Sequence, residues 1–380
     1  MLRLPPLSLY IHVPWCVKKC PYCDFNSHVA NQEGIPETQY LAALIADLHQ
    51  EISKVQGRPL ASIFIGGGTP SLLSPRAYKQ LLSTLQQEMA FAEDIEITLE
   101  ANPGTYEHGR FQGYLEAGIN RLSLGVQSFQ DEKLKGLGRI HSADEAICAI
   151  TSLAESGFAN INIDLMHGLP GQSPEDALYD LQTAIDFQPT HISWYQLTIE
   201  PNTVFYSKTP LLPPDDTLWS IQEAGQSRLA MHGYTQYEIS AYSRPGRQAR
   251  HNVNYWQFGD YLGIGAGAHG KWTCKETGKV YRNWKTRIPS DYLSPDKPFR
   301  AGQRTLAEDE LPLEFMMNAL RLHEGVPAGF YSDYTGLSLR SVSSAWETAI
   351  AKGLMVDSPN RLAPTPRGRL FLNDLLAIFT

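Results

Sequence analysis

The sequence predicts an α/β protein in which six strand–helix units build a parallel sheet, followed by a small, mainly helical C-terminal domain. Three observations predict it. Short segments rich in Ile, Leu and Val recur at 7–13, 62–66, 95–100, 121–126, 160–166 and 191–199. Each leads into a segment with helical end signals. After Gly233 the alternation stops, and from Ala307 onward helical patterns take over.

Each element has its own warrant. After the first strand, Leu41, Leu44, Leu48, Ile52 and Val55 recur at helical spacing. Ser74-Pro75 and Ser173-Pro174 place an N-cap before a proline at the first helical position, where the missing N–H costs nothing. Ser142 and Glu145 fit a capping box, and Gly118, Gly157 and Gly233 suit C-terminal caps. Parallel neighbours need helical crossovers, so six such units form either an open sheet or a partial barrel. Residues 234–285 are rich in aromatics and glycine, with a strand-like stretch at 235–242, and polar, proline-bearing 287–303 reads as a linker. Beyond it, 341–352 reads as a helix and 362–379 as a short strand or wing before a last helix. The expected division is 1–240, 241–305 and 306–380.

Composition narrows the function. A chain of 380 residues suggests about two domains. A net charge of −8 gives no long-range attraction to nucleic acid or an acidic membrane surface. The C-terminal 76 residues hold six Lys and Arg against nine Asp and Glu, so even a winged helix there would lack a basic face for DNA. The first residues show no signal peptide, and no apolar run is long enough to span a bilayer, which points to the cytoplasm. Cys16, Cys20 and Cys23 fall within eight residues, while Cys148 and Cys274 stand alone. Clustered thiols in a reducing compartment point to metal or cluster binding rather than disulfides. Cys148 reads as a small buried hydrophobe and Cys274 as an incidental thiol.

In parallel α/β folds, ligands gather at the carboxyl ends of the strands. Here the first strand runs into Cys16-x-x-x-Cys20-x-x-Cys23 and the second into Gly66-Gly67-Gly68-Thr69-Pro70. The third ends at Glu100, the fourth at Gln127, and the fifth carries Asp164 ahead of His167-Gly168. Any one of these is explicable as a tight turn; five in succession are not. Three cysteines on one short loop suit three corners of an iron–sulfur cube, leaving one iron open to a small chelating molecule. The alternative is a structural zinc completed by His12 or His28.

The cysteine spacing, with Tyr22 before the last cysteine, resembles the radical-SAM signature, and Gly66–Pro70 resembles that superfamily's glycine-rich strand. More narrowly, the chain resembles the oxygen-independent coproporphyrinogen dehydrogenase group over nearly its whole length. The resemblance implies a partial (β/α)6, TIM-like radical-SAM barrel and a [4Fe-4S] cluster on Cys16, Cys20 and Cys23. It also implies S-adenosylmethionine bound by Tyr10, Tyr22, Gly66, Gly67, Gly68, Thr69, Glu100, Gln127, Arg139 and Asp164. Backbone amides and a guanidinium suit its carboxylate; acidic side chains suit its ribose and ammonium.

Two functions occur in this group. The dehydrogenases carry a further cysteine where this chain has Phe25, and an N-terminal extension that the six residues before Leu7 do not supply. His251-Asn252-Val253-Asn254-Tyr255-Trp256 instead resembles the HNxxYW motif of the HemW-type haem chaperones. That resemblance implies haem as cargo and acceptor haemoproteins, respiratory ones among them, as partners, with membrane association only through a partner. His251 suits an iron ligand, Tyr255 and Trp256 a porphyrin face, and Arg244, Arg247 and Arg250 the propionates. The same stretch also reads as a buried turn with a satisfied histidine and core aromatics. Gly265-x-Gly267-x-x-Gly270 matches a dinucleotide fingerprint on paper, but no strand–helix context surrounds it, so it reads as a tight loop.

Overall fold

The structure is a computed structural model that describes residues 2–31, 34–104 and 109–380. The six expected strands form as β1 (Leu7–Val13), β2 (Leu60–Gly67), β3 (Phe91–Ala101), β4 (Arg121–Gln127), β5 (Ile161–His167) and β6 (His191–Gln196). They pair in chain order and in parallel. On β1 the alternation is plain. Leu7, Leu9, Ile11 and Val13 are fully buried in one core with Tyr40, Leu41, Leu44 and Leu48 of helix α1 (Glu37–Glu51). Ser8, Tyr10 and His12 point to the other, polar face.

The crossover helices begin as their caps require. Ser74 accepts the Ala77 N–H at the start of α2 (Pro75–Glu88). Ser142 and Glu145 form the capping box of α3 (Ala143–Glu155), and Ser173 with Asp176 forms that of α4 (Pro174–Asp186). Gly118, Gly157 and Gly233 all have φ between 80° and 105°, the left-handed region a C-terminal cap uses. Cys148 is exposed, contrary to the expectation of a buried thiol. The buried stripe of α3 is Ala146, Ala149, Ile150 and Leu153, and Cys148 lies off it.

The sheet continues past the barrel at both ends. β7 (Thr235–Glu238) and β8 (Ala241–Ser243) follow α5 (Asp215–Met231), with β8 antiparallel to β6. After α6 (Arg250–Trp256), β9 (Asp260–Ile264) pairs in parallel with β1. β10 (His269–Cys274), β11 (Lys279–Lys285) and β12 (Arg300–Thr305) extend from it as an antiparallel meander. The full order is β12-β11-β10-β9-β1-β2-β3-β4-β5-β6-β8-β7, and its two ends do not pair with each other. The linker expected at 287–303 is therefore corrected: it holds a short helix (Pro289–Tyr292) and runs into edge strand β12. β12 is exposed at five of its six positions, so no apolar alternation marks it.

The C-terminal domain has its own core. Phe315 and Met316 of α7 (Leu311–Ala319) pack with Tyr331, Leu354 and Leu375, and that core reaches back to Phe258 and Tyr237. A two-residue antiparallel pair, Val326–Pro327 with Arg361–Leu362, supplies the short strand expected there. Among the described residues no helix is long and apolar enough to cross a membrane.

Candidate functional site

The loop after β1 is tied at both ends. Trp15–Cys16 pairs with His28–Val29, and the Cys23 N–H donates to the Cys20 carbonyl (3.1 Å). The glycine-rich end of β2 is stitched to the same loop: the Gly68 N–H donates to Val13 and the Thr69 N–H to Trp15, both at 2.7 Å. Gly68 has no room for a side chain, since a Cβ would lie 2.4 Å from the Trp15 carbonyl oxygen and 3.0 Å from Cys16 Sγ. Burial pushes the Cys16 and Cys23 thiols upward, and the charge of neighbouring cysteines adds to it. The loop thus presents three thiols side by side, the donor set that a metal or cluster binds as thiolates.

The three cysteines line a cavity of about 140 Å³ together with Tyr22, Gly67, Gly68, Thr69, Glu100, Gln127, Arg139 and Asp164. A larger cavity of about 520 Å³ adjoins it, with Lys18, Cys20, Thr69, Asn102 and Arg139 common to both. Arg139 donates to Asn102 Oδ1 and to the Gly125 carbonyl, both at 2.7 Å, and lies 3.8 Å from Cys20 Sγ. Asn102 in turn donates to Thr69 Oγ1 (3.0 Å), so the ends of β2, β3 and β4 form one polar frame. Gln127 has φ 72°, a strained conformation for a residue with a side chain, and its Oε1 accepts from Tyr195 (2.7 Å).

Two carboxyls face this frame. Burial, with the charge of Asp164 added, pushes Glu100 up to about 8. Burial also raises Asp164, against hydrogen bonds from Asn162 Nδ2 (2.8 Å) and Ser123 Oγ (2.9 Å). The Gly67 N–H donates to Glu100 (3.1 Å). Among the described residues neither carboxyl forms an ion pair, so together they suit a ligand bringing an ammonium group or hydroxyl donors. Glu100 gives a pH signature. Its folded pKa lies above its unfolded one, so its contribution favours the fold at low pH and is lost as pH rises through about 8. The melting temperature of the unliganded protein should fall over that window, and Glu100→Gln should flatten the fall. An identical slope in the variant would contradict the assignment.

Tyr10 and Gly66 do not line the cavity. Tyr10 stacks on Phe64 (6.3 Å between ring centres), and its hydroxyl lies 3.0 Å from His12 Nδ1. His12 Nε2 is 2.8 Å from the Asn26 carbonyl, which only accepts; Nε2 therefore carries the proton and Nδ1 accepts from Tyr10. Burial pushes His12 down to about 4, in keeping with a neutral ring. With both nitrogens engaged, His12 offers no fourth ligand for zinc. Gly66 is closed off by Glu100, whose Oε2 would lie 2.9 Å from an added Cβ.

His251, Tyr255 and Trp256 lie elsewhere. They belong to α6, which packs at the start of β2, while the cysteines follow the far end of β1. His251 is 1% exposed, with Nδ1 3.0 Å from Ser62 Oγ and Nε2 2.7 Å from the Tyr255 hydroxyl. Burial pushes it down to about 3. The expected iron ligand thus has both ring nitrogens already committed. Trp256 packs against the C-terminal core, with the Arg321 guanidinium 4.3 Å from its ring centre. Arg250 pairs with Asp94 (2.6 Å), and Arg244 lies over the Tyr234 ring. The structure therefore brings the three cysteines together with Tyr22, Gly67, Gly68, Thr69, Glu100, Gln127, Arg139 and Asp164, leaves Tyr10 and Gly66 off that cavity, and keeps the HNxxYW residues off it too, with His251 6.5 Å from Tyr10 between ring centres. Sequence reasoning missed Tyr195 and Asn26, whose roles rest on contacts distant in the chain.

The Radical SAM superfamily matches residues 10–184, and the HemN C-terminal domain matches residues 306–371. A Haemophilus influenzae protein named "Heme chaperone HemW" is 51% identical over 100% of this chain and 99% of its own length. The Escherichia coli protein of the same name is also 51% identical, over 100% of this chain and 99% of its own. A solved structure titled as the radical-SAM coproporphyrinogen III oxidase HemN from Escherichia coli superposes with a TM-score of 0.83. It covers 99% of this chain and 90% of that one at 23% identity, a likeness of fold.

Proposed function

Because the chain belongs to the HemW family of radical-SAM proteins, we propose that it is a haem chaperone that also holds a [4Fe-4S] cluster and S-adenosylmethionine. The observation that carries the haem reading is identity of 51% from end to end with relatives named for that role. The cluster reading is supported by the donor set: three thiols on one loop, open to a cavity with two buried carboxyls. When bound, the cluster supplies one-electron reduction that splits a sulfonium C–S bond. Cys16, Cys20 and Cys23 would hold it. Gly67 and Gly68, which line the cavity, would face the amino-acid end of the cofactor. Arg139 would face its carboxylate; Glu100 and Asp164 would take its ammonium and ribose hydroxyls. The working location is the cytoplasm, with haem passed to acceptor haemoproteins.

Haem binding is tested by titration followed in the Soret band, and delivery by recovery of an apo-haemoprotein's spectrum. Replacing the three cluster cysteines should leave binding largely in place and impair delivery, because no residue of α6 lines the cysteine cavity. His251→Ala changes the haem spectrum only if the ring leaves Ser62 and Tyr255 to reach iron. No haem binding by the wild type would overturn the chaperone reading.

A further inference from the structure

Gly265 and Gly267 lie in the turn between β9 and β10 and Gly270 is the second residue of β10, and each is a glycine because something approaches it closely. A Cβ on Gly265 would lie 2.3 Å from the His12 carbonyl oxygen, one on Gly267 would lie 2.2 Å from Asn26 Nδ2, and one on Gly270 would lie 2.3 Å from Asn283 Oδ1. Gly265 and Gly267 also have φ of 100° and 85°. The turn is thus shaped to receive β1 and the cysteine loop.

Asn26 is the residue received. It stands three positions after Cys23 and donates through Nδ2 to the carbonyls of Ala266 (3.0 Å) and Arg287 (2.9 Å). Its own carbonyl accepts from His12 and its Oδ1 from His28 (3.3 Å). The turn is anchored from behind. The Gly265 N–H donates to Asp47 Oδ2 and lies 3.1 Å from the Tyr292 hydroxyl, and the Ala266 N–H donates to Tyr40. Lys285 pairs with Asp47 and Glu51 in the same buried network. A rigid extension therefore grips the chain just beyond the last cysteine.

We infer that Asn26 is a positioning residue for the cluster: it locks the Cys23 corner of the loop against the β9–β10 turn, so the extension sets the geometry and solvent exposure of the iron–sulfur site. The inference rests on the cluster reading above. Asn26 touches no cluster ligand side chain; it acts through the backbone that carries Cys23, as residues behind metal ligands do. Either partner can be disturbed separately. Asn26→Ala removes the grip from the loop side. Gly267→Ala forces Asn26 away from the extension side.

The test uses the reconstituted holoprotein. The readouts are the reduced-cluster EPR spectrum, the midpoint potential and the rate of iron loss to a chelator. Asn26→Ala should still take up a cluster, because all three cysteines remain. It should lose iron about ten-fold faster than wild type, the low end for removing a partner behind metal ligands, with a shifted EPR spectrum and potential. Gly267→Ala should reproduce these changes, and the double variant should be no worse than the larger single one. Gly278→Ala strains the same extension at an open turn far from Asn26 and should change none of them. Asn26→Asp keeps the shape and loses the donors, so it should behave as Asn26→Ala. Wild-type spectra, potential and iron loss in Asn26→Ala, or equal effects from Gly278→Ala, would overturn the inference while leaving the cluster reading intact. A wild type that takes up no cluster would overturn both.

Discussion

Replacing Cys16, Cys20 or Cys23 by alanine, one at a time, is expected to abolish the iron–sulfur absorbance of anaerobically reconstituted protein. Cys148→Ala and Cys274→Ala are expected to leave it unchanged. The reason is geometric. One short loop presents three thiols to a single cavity, and no cysteine elsewhere lines it. His12, one of the two histidines that could complete a zinc site, has its nitrogens bound to Asn26 and Tyr10. Cys148 lies on the solvent side of α3 and Cys274 at the end of β10, both outside the cavity. A full cluster in any of the three variants would contradict the assignment. So would a wild type that retains one zinc and neither iron nor sulfide.

Lys285→Met is expected to destabilise the unliganded protein by about 3–5 kcal/mol, the range for breaking a buried ion pair by removing one partner. Lys285 is 1% exposed and pairs with both Asp47 and Glu51 (2.8 Å to the latter). Burial already pushes the Asp47 carboxyl upward, with Lys285 the largest opposing influence. Without the ammonium, Lys54, which pairs with Glu51, is the one cation left to the two carboxyls among the described residues, and Asp47 keeps only the neutral donors Gly265 N–H and Tyr292. The Asp47 carboxyl then rises further above its unfolded value, so the deficit should be small at acid pH and grow as pH rises through the carboxylate range. Chemical denaturation at two pH values measures it. A variant as stable as wild type at neutral pH would show that the network does not fasten β11 to α1.

The six barrel strands were legible because apolar residues facing the helices recur at every second position, as Ile161, Ile163 and Leu165 do between the polar Asn162 and Asp164. The caps at Ser74, Ser142 and Ser173 were legible because capping is local chemistry. β12 was not, because an exposed polar edge has no period to read. The extension as a whole escaped for a different reason. β9 joins the sheet beside β1, about 250 residues earlier, and Asp260 replaces an apolar residue where Lys271 and Arg58 neutralise it. Within the site, Glu100 and Asp164 could be named from strand ends, but their shared burial needed the assembled sheet. The HNxxYW residues show the limit of motif reading. The pattern was visible, while the hydrogen bonds that bury His251 between Ser62 and Tyr255 were not.

The most direct test of the proposed function sets its two possible chemistries side by side. Anaerobically reconstituted and reduced wild-type protein, supplied with S-adenosylmethionine, is incubated in parallel with haem and with coproporphyrinogen III. The account predicts haem bound and transferred to an apo-haemoprotein, with coproporphyrinogen III recovered unchanged. Efficient conversion of coproporphyrinogen III to protoporphyrinogen IX would contradict it and make the protein a radical-SAM decarboxylase.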